Sequence, residues 1–211
     1  MIFTVSDRDR TRLICAYPML TPRSLLELYV EAKDLTRPHL VPQIYAPDAV
    51  LTYSIATDSI SFPQRVEGSA GIAKTLVVDF GARFSRCKTY YVCTAPPRDA
   101  EEAALLPWLV IMRETAAGWL RFGRGYYRWS FGRQDGASVQ VTAMHIHIER
   151  MDVIEDEDGK LLEAAQSRLP YPWLPPTVLR SCYEALARSD PALAFVDAFK
   201  LPLDPAGSLP Q

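Results

Sequence analysis

The segment from Val139 to Ile154, VQVTAMHIHIERMDVI, constrains this chain more than any other. Strict alternation divides it into two rows. One holds Val141, Ala143, His145, His147 and Glu149; the other holds Thr142, Met144, Ile146 and Ile148. Successive side chains of a strand point to opposite faces of a sheet, so the two rows face apart. The second row is the more apolar, and the first begins apolar as well. Such a strand needs cover on both faces of its sheet.

The preceding segments supply the partners. Trp108 to Thr115 and Trp119 to Phe131 read as two long strands joined near Ala116-Ala117-Gly118, with an Asp135-Gly136 turn into the last strand. Thr89 to Val92 is a shorter β-rich run, and Thr94 to Ala104 is polar, Pro-containing loop. Upstream, Thr21-Pro22 predicts a helix start, because Thr caps free N–H groups and Pro at the first position loses no hydrogen bond. Leu25, Leu26, Leu28, Tyr29 and Ala32 continue it at helical spacing. Ala49 to Ile55 reads as a strand, and Gly68 to Phe80 as a second helix with Ser69 offering a cap. After Asp156-Glu157-Asp158-Gly159 the chain becomes Pro-rich. Helices are expected at Thr177–Arg188 and Pro191–Phe199, the latter capped by Asp190, before the frayed tail DPAGSLPQ.

The hydrophobic fraction of 48% in 211 residues is enough for a substantial core. A net charge of −2 gives no electrostatic case for nucleic acid or an anionic membrane. Arg121, Arg124, Arg128 and Arg133 would divide between strand faces rather than form one basic stripe. The N-terminal MIFTVSDRDRTRL lacks a signal-peptide pattern, and no run is long and apolar enough for a membrane span. Cys15, Cys87, Cys93 and Cys182 lack metal-ligand spacing, so reduced thiols and a cytoplasmic location are expected.

The order of these elements, with the runs YAPDA and EGSAGI and the terminal pair of long strands, resembles the nuclear-transport-factor-like superfamily, which includes SnoaL-like and ketosteroid isomerase-like proteins. The match covers roughly residues 20–155. It implies an α+β fold in which a curved antiparallel sheet wraps around N-terminal helices to form a cone with a pocket. Residues 1–158 would form the cone, and 159–211 a Pro-rich helical extension that caps its mouth or braces a dimer. Pro-Tyr-Pro-Trp at 170–173 reads as a packed arm.

The resemblance also implies site residues. Ketosteroid isomerases carry an oxyanion-donor tyrosine that falls on Tyr29, a base aspartate that falls on Tyr53, and a second acid that falls near Tyr127. Tyrosine, with a usual pKa near 10, is a poor base. Scytalone dehydratase carries a first-strand tyrosine and a helix-one aspartate that fall on Tyr53 and Asp34, and a third-strand histidine that falls near Tyr91. The expected catalytic set is therefore His145, as the imidazole that moves a proton, with Tyr29, Tyr53 and Asp34. Tyr127, His147, Tyr91, Trp129 and Arg124 are expected to contact ligand, and Arg113 and Arg124 to clamp an anion if one binds. Trp108, Trp119 and Trp129 with Phe131 also read as sheet packing.

No phosphate loop, dinucleotide fingerprint or nucleophile elbow is present, so no cofactor and no metal are expected. Two functions remain open. One is a cofactor-independent lyase or isomerase acting on a small hydrophobic molecule. The other is a non-catalytic ligand-binding or dimerisation module. Both carry the expectation of a homodimer, formed through the Thr142, Met144, Ile146, Ile148 row on the outer sheet face.

Overall fold

The computed structural model describes residues 20–97, 105–133 and 138–203. The readings on MIFTVSDRDRTRL, Cys15, the Asp135-Gly136 turn, the tail DPAGSLPQ and the later part of the Thr94–Ala104 loop lie outside the described residues.

Helix α1, Pro22–Asp34, starts where the capping chemistry predicts. Ser24 N donates to Thr21 Oγ1 at 3.2 Å, and Thr21 N donates back to Ser24 Oγ at 2.7 Å. A tight turn at Pro38–Leu40 and the short α2, Val41–Ile44, lead into β1, Tyr45–Ile55. The small strand β2, Arg65–Glu67, follows. Next, α3, Gly68–Ala73, continues through a wider π-helical stretch, Lys74–Asp79, into α4, Phe80–Arg83. Ser69 lies inside α3 and is not its cap; the helix begins one residue earlier, at Gly68. The remaining strands are β3 Phe84–Tyr91, β4 Leu105–Glu114, β5 Leu120–Arg133 and β6 Val139–Ile154. Helices α5, Lys160–Gln166, and α6, Pro176–Ser189, close the chain with a 3-10 helix, Pro191–Phe199, where Asp190 Oδ1 accepts from Ala192 N at 2.9 Å.

The strands form one curved sheet in the order β2-β1-β6-β5-β4-β3. Neighbours are antiparallel except β1 and β6, which run parallel. This is an α+β fold with α1 to α4 held against the inner face of the sheet. The inner core joins Leu26, Tyr29 and Val30 of α1 to Leu51, Tyr53, Trp108, Tyr127, Trp129, Met144 and Ile146 of the sheet. No helix among the described residues is long and apolar enough to cross a membrane.

Two bulges in β6 decide which of its side chains point inward. Ser130 pairs with Ala143 but Phe131 with Val141, so Thr142 is the extra residue. Likewise Gly125 pairs with Ile148 but Arg124 with Arg150, which leaves Glu149 over. An extra residue reverses the facing of everything after it. The inner row is therefore Val141, then Met144, Ile146 and Ile148, then Met151, all at most 5% exposed. This corrects the expected dimer row: Met144, Ile146 and Ile148 fill the cone and are not available on the outer face.

The C-terminal extension does not cap the cone. Leu162, Ala165, Leu174, Leu179, Tyr183, Val196 and Phe199 pack on Tyr90, Val92, Leu109, Ile111, Leu120 and Phe122, forming a second core on the outer face of β3, β4 and β5. Its Pro-Tyr-Pro-Trp arm runs along the edge strand. Tyr91 N donates to Pro172 O at 2.8 Å, and Leu174 N donates to Tyr91 O at 2.9 Å, so backbone groups that an edge strand would leave open are paired. Trp173 stacks on Tyr91 with ring centroids 4.8 Å apart, and its Nε1 donates to Glu27 Oε1 at 2.8 Å.

Candidate functional site

Inside the cone, the helices and the sheet leave a cavity of about 40 Å³. Tyr29 of α1, Tyr53 of β1, Trp108 of β4 and Tyr127 of β5 line it together with Phe62, Phe80, Met112, Ile146 and Met151. A volume above about 10–15 Å³ already admits a water molecule, so the cavity suits a compact group. Lys33 of α1 also reaches the wall, the rest of which is apolar, and no Asp, Glu or His side chain lines it.

Its polar character comes from hydrogens that the protein itself leaves unused. Tyr53 Oη and Trp108 Nε1 are buried and find no protein partner, and buried Tyr29 Oη has no polar neighbour but the Tyr127 phenol, with which it makes no hydrogen bond of normal geometry. Buried polar groups are satisfied in the great majority of cases; of the five exceptions among the described residues, these three gather at the cavity, while Tyr90 Oη and Trp129 Nε1 lie away from it. Burial pushes the Tyr29 and Tyr53 phenols well above their ordinary value, and Tyr127 is pushed up to about 12 chiefly by burial. All three therefore remain neutral donors rather than bases at physiological pH.

Behind this wall is a buried polar cluster. Lys33 Nζ donates to Thr89 Oγ1 at 2.8 Å, to Asp34 Oδ1 at 3.1 Å and to Cys87 Sγ at 3.4 Å. It also lies 4.2 Å from the centre of the Phe80 ring. Burial works to lower the Lys33 pKa, but its interactions with Cys87 and with the Asp34 carboxylate outweigh burial together, and the net direction is upward. Lys33 borders the cavity as a fixed cation whose three protons are already engaged. The Cys87 thiol is pushed up to about 12, by burial first and then by Asp34, and stays protonated.

The expected site residues divide accordingly. Tyr29, Tyr53 and Tyr127 meet at the cavity. Asp34 is nearly fully buried but is absorbed by the cluster, with Thr89 N, Thr89 Oγ1 and Tyr171 Oη as further donors. Tyr91 Oη donates to Leu26 O at 3.0 Å, and Trp129 packs against Tyr29 at 5.1 Å without lining the cavity. Arg124 is engaged within the protein: its Nε and Nη2 donate to Glu149 and its Nη1 to Ala198 O. Arg113 donates to the carbonyls of Asp156 and Glu157.

His145 and His147 are the main correction. The Thr142 bulge turns them to the face opposite the cavity, where they join the neighbouring strand. His145 Nδ1 is 2.8 Å from Thr52 Oγ1, its Nε2 is 2.9 Å from Ser54 Oγ, and Ser54 Oγ is 2.7 Å from His147 Nδ1. Tyr126 stacks on His147 at 4.7 Å. Among the described residues no cluster of three or more His, Cys, Asp or Glu is arranged to hold a metal ion.

Burial first, then His147 and Arg128, lowers the His145 pKa below its ordinary 6.5; burial also lowers that of His147. The unfolded chain then takes up protons before the folded one. The stabilisation is full above about pH 6.5 and is lost as pH falls through the folded-state values. Urea unfolding midpoints are expected to drop from pH 7.5 to 5, with a shallower drop in His145→Gln. An equal slope in the variant would show that this pair does not set the pH response.

Sequence reasoning missed Lys33, Phe62 and Phe80. Lys33 had a readable signal: it follows Leu26 by seven residues and Tyr29 by four, which places it on the buried face of α1.

No family model and no curated protein matches the chain. Among solved structures, a nuclear transport factor 2 (NTF2-like) superfamily protein from Salmonella enterica subsp. enterica serovar Typhimurium str. LT2 is similar at 13% identity and a TM-score of 0.47, over 64% of this chain and 89% of that one. A hexachlorocyclohexane dehydrochlorinase LinA-type3 from Novosphingobium barchaimii LL02 is similar at 13% identity and a TM-score of 0.47, over 62% and 85%. A putative scytalone dehydratase from Novosphingobium aromaticivorans DSM 12444 is similar at 15% identity and a TM-score of 0.46, over 63% and 84%.

Proposed function

We propose that the protein binds a compact, largely apolar small molecule in the cone, with a hydrogen-bond acceptor on that molecule held by Tyr29, Tyr53 and Trp108. The observation that carries this reading is the gathering of Tyr53 Oη and Trp108 Nε1, which have no protein partner, with Tyr29 Oη, whose polar neighbour is Tyr127, at a largely apolar cavity. A neutral acceptor such as a carbonyl or ether oxygen suits the site better than a charged one, because the protons of Lys33 are already engaged by Asp34, Cys87 and Thr89.

The binding reading takes precedence over the lyase or isomerase reading. The donors could stabilise a developing oxyanion, but proton transfer also needs a base within reach. The cavity wall has neither carboxylate nor imidazole, and His145 is on the other face of the sheet. The free thiols of Cys87, Cys93 and Cys182 suit a reducing, cytoplasmic setting. A second copy docking on the outer face of β1 and β6 would meet the polar row of Thr52, Ser54, His145 and His147, not the apolar row first expected.

The test is a thermal-shift screen with uncharged hydrophobic metabolites, read in the wild type and in Tyr53→Phe. Ligands of the native state raise its melting temperature. Removing an unsatisfied buried hydroxyl is expected to leave stability unchanged or to raise it by about 1 kcal/mol, while affinity for a hit falls about tenfold. Loss of stability without loss of affinity would show that the hydroxyl serves packing and not the ligand.

A further inference from the structure

A second hollow abuts the cavity. It measures about 150 Å³ and is lined by Ser61, Pro63, Thr75, Asp79, Arg83 and Phe84, together with Phe62 and Phe80. Those two phenylalanines also line the inner cavity, so they form the partition between the two spaces. Phe62 is half-buried and stacks on Tyr53, with ring centroids 4.8 Å apart and planes 2° from parallel. Phe80 follows directly on the π-helical stretch Lys74–Asp79, which also supplies Thr75 and Asp79 to the outer hollow. Such stretches are rare in helices and cluster at functional positions.

The charges of the outer hollow are unequal. Asp79 is neutralised by Lys74, whose Nζ lies 2.5 Å from its Oδ2. Arg83 has no carboxylate within ion-pair distance among the described residues; its guanidinium carbon lies 5.1 Å from the centre of the Phe84 ring. The hollow therefore presents one cation without an ion-pair partner beside three aromatic rings, those of Phe62, Phe80 and Phe84. The inner cavity presents neutral donors and no free charge.

We propose that the two spaces are the chambers of one site, with Phe62 and Phe80 as the partition that swings aside, and that the ligand is an amphipathic organic anion. Its apolar body, with an acceptor atom, enters the inner chamber, and its acidic group stays outside on Arg83. An aromatic side chain that swings aside joins 40 Å³ to 150 Å³, which makes room for a ligand body larger than the inner chamber alone beside Tyr53 and Trp108. The guanidinium suits a carboxylate or sulfonate because it offers paired N–H donors in a plane. This inference rests on the proposed binding role of the cone.

The test uses two fluorescent probes with one skeleton, N-phenyl-1-naphthylamine, which is neutral, and 1-anilinonaphthalene-8-sulfonate, which carries the acidic group. Titrations compare the wild type with Arg83→Ala and Arg83→Lys, and stopped-flow mixing adds Phe62→Ala. The wild type is expected to bind the sulfonate about tenfold more tightly than the neutral probe, as a charge-assisted hydrogen bond supplies about that much. Arg83→Ala should erase the difference while leaving the neutral probe unchanged, Arg83→Lys should restore part of it, and Phe62→Ala should speed association of both probes. Equal affinities in the wild type, insensitive to Arg83, would overturn the outer chamber and leave the cone as a binding site for neutral molecules. Failure of the neutral probe to bind any variant would overturn the cone reading itself, and this inference with it.

Discussion

A chain ended at Asp158 is expected to be insoluble. Everything from α5 onward would be missing, and the outer face of β3, β4 and β5 would be bare. Tyr90, Val92, Leu109, Ile111, Leu120 and Phe122 are each at most 3% exposed in the folded protein. Burying one large apolar side chain contributes about 1.5–3 kcal/mol, and the total stability of a domain is only about 5–15 kcal/mol. Losing cover over six of them removes most or all of that margin and leaves a contiguous apolar patch of the kind that drives aggregation. The soluble fraction on expression and a circular-dichroism melt check this. A soluble fragment melting at the temperature of the full chain would show that the extension is an appendage. A graded version keeps the chain whole: Phe122, in contact with Tyr183, Phe195 and Phe199, should cost about 3–5 kcal/mol when cut to Ala.

Asp34→Ala is expected to lower the unfolding free energy by about 3–5 kcal/mol, because it leaves a buried ammonium without its counter-charge. The carboxylate accepts from Thr89 N at 2.6 Å, Thr89 Oγ1 at 2.8 Å, Tyr171 Oη at 3.0 Å and Lys33 Nζ at 3.1 Å. It thereby ties α1 to β3 and to the C-terminal arm. Asp34→Asn keeps the shape and should still lose most of that amount, since a neutral amide cannot balance Lys33. The double variant Lys33→Met, Asp34→Asn should be less damaged than Asp34→Ala alone, because the uncompensated charge is gone. Denaturant midpoints of the three variants decide the matter. A loss under about 1 kcal/mol in the single variant would place this pair with ordinary surface ion pairs.

Much of the framework is legible in the sequence. Thr21-Pro22 marked the start of α1 correctly because capping is local chemistry, settled within four residues. Long β-rich runs marked β4, β5 and β6 to within a few residues of their ends. Strand β2 and helix α5 were missed for a shared reason. Each is short, and β2 exists through its pairing with β1, while Asp156 anchors the start of α5 by accepting from Leu161 N and Leu162 N. The site was half legible. Tyr29, Tyr53 and Tyr127 meet at one cavity as expected candidates, whereas His145 and His147, also candidates, lie on the opposite face of the sheet. Strict alternation cannot register an inserted residue, although the apolar spacing Val141, Met144, Ile146, Ile148, Met151 carried the two bulges in plain view.

By itself, the sequence determined an α+β sheet with cover on both faces, an N-terminal helix with a buried stripe, and a set of tyrosines directed into the interior. The sheet and the helix follow from periodicity and capping, which depend on near neighbours along the chain; the inward tyrosines Tyr53 and Tyr127 were implied only by the resemblance. Tertiary structure alone decided which face of β6 became the cone wall, that Lys33 and Asp34 neutralise each other in the interior, and that the extension occupies the outer sheet rather than the mouth. Each of these depends on pairing across strands and on which burial satisfies the most polar groups at once, and neither is a property of any single segment.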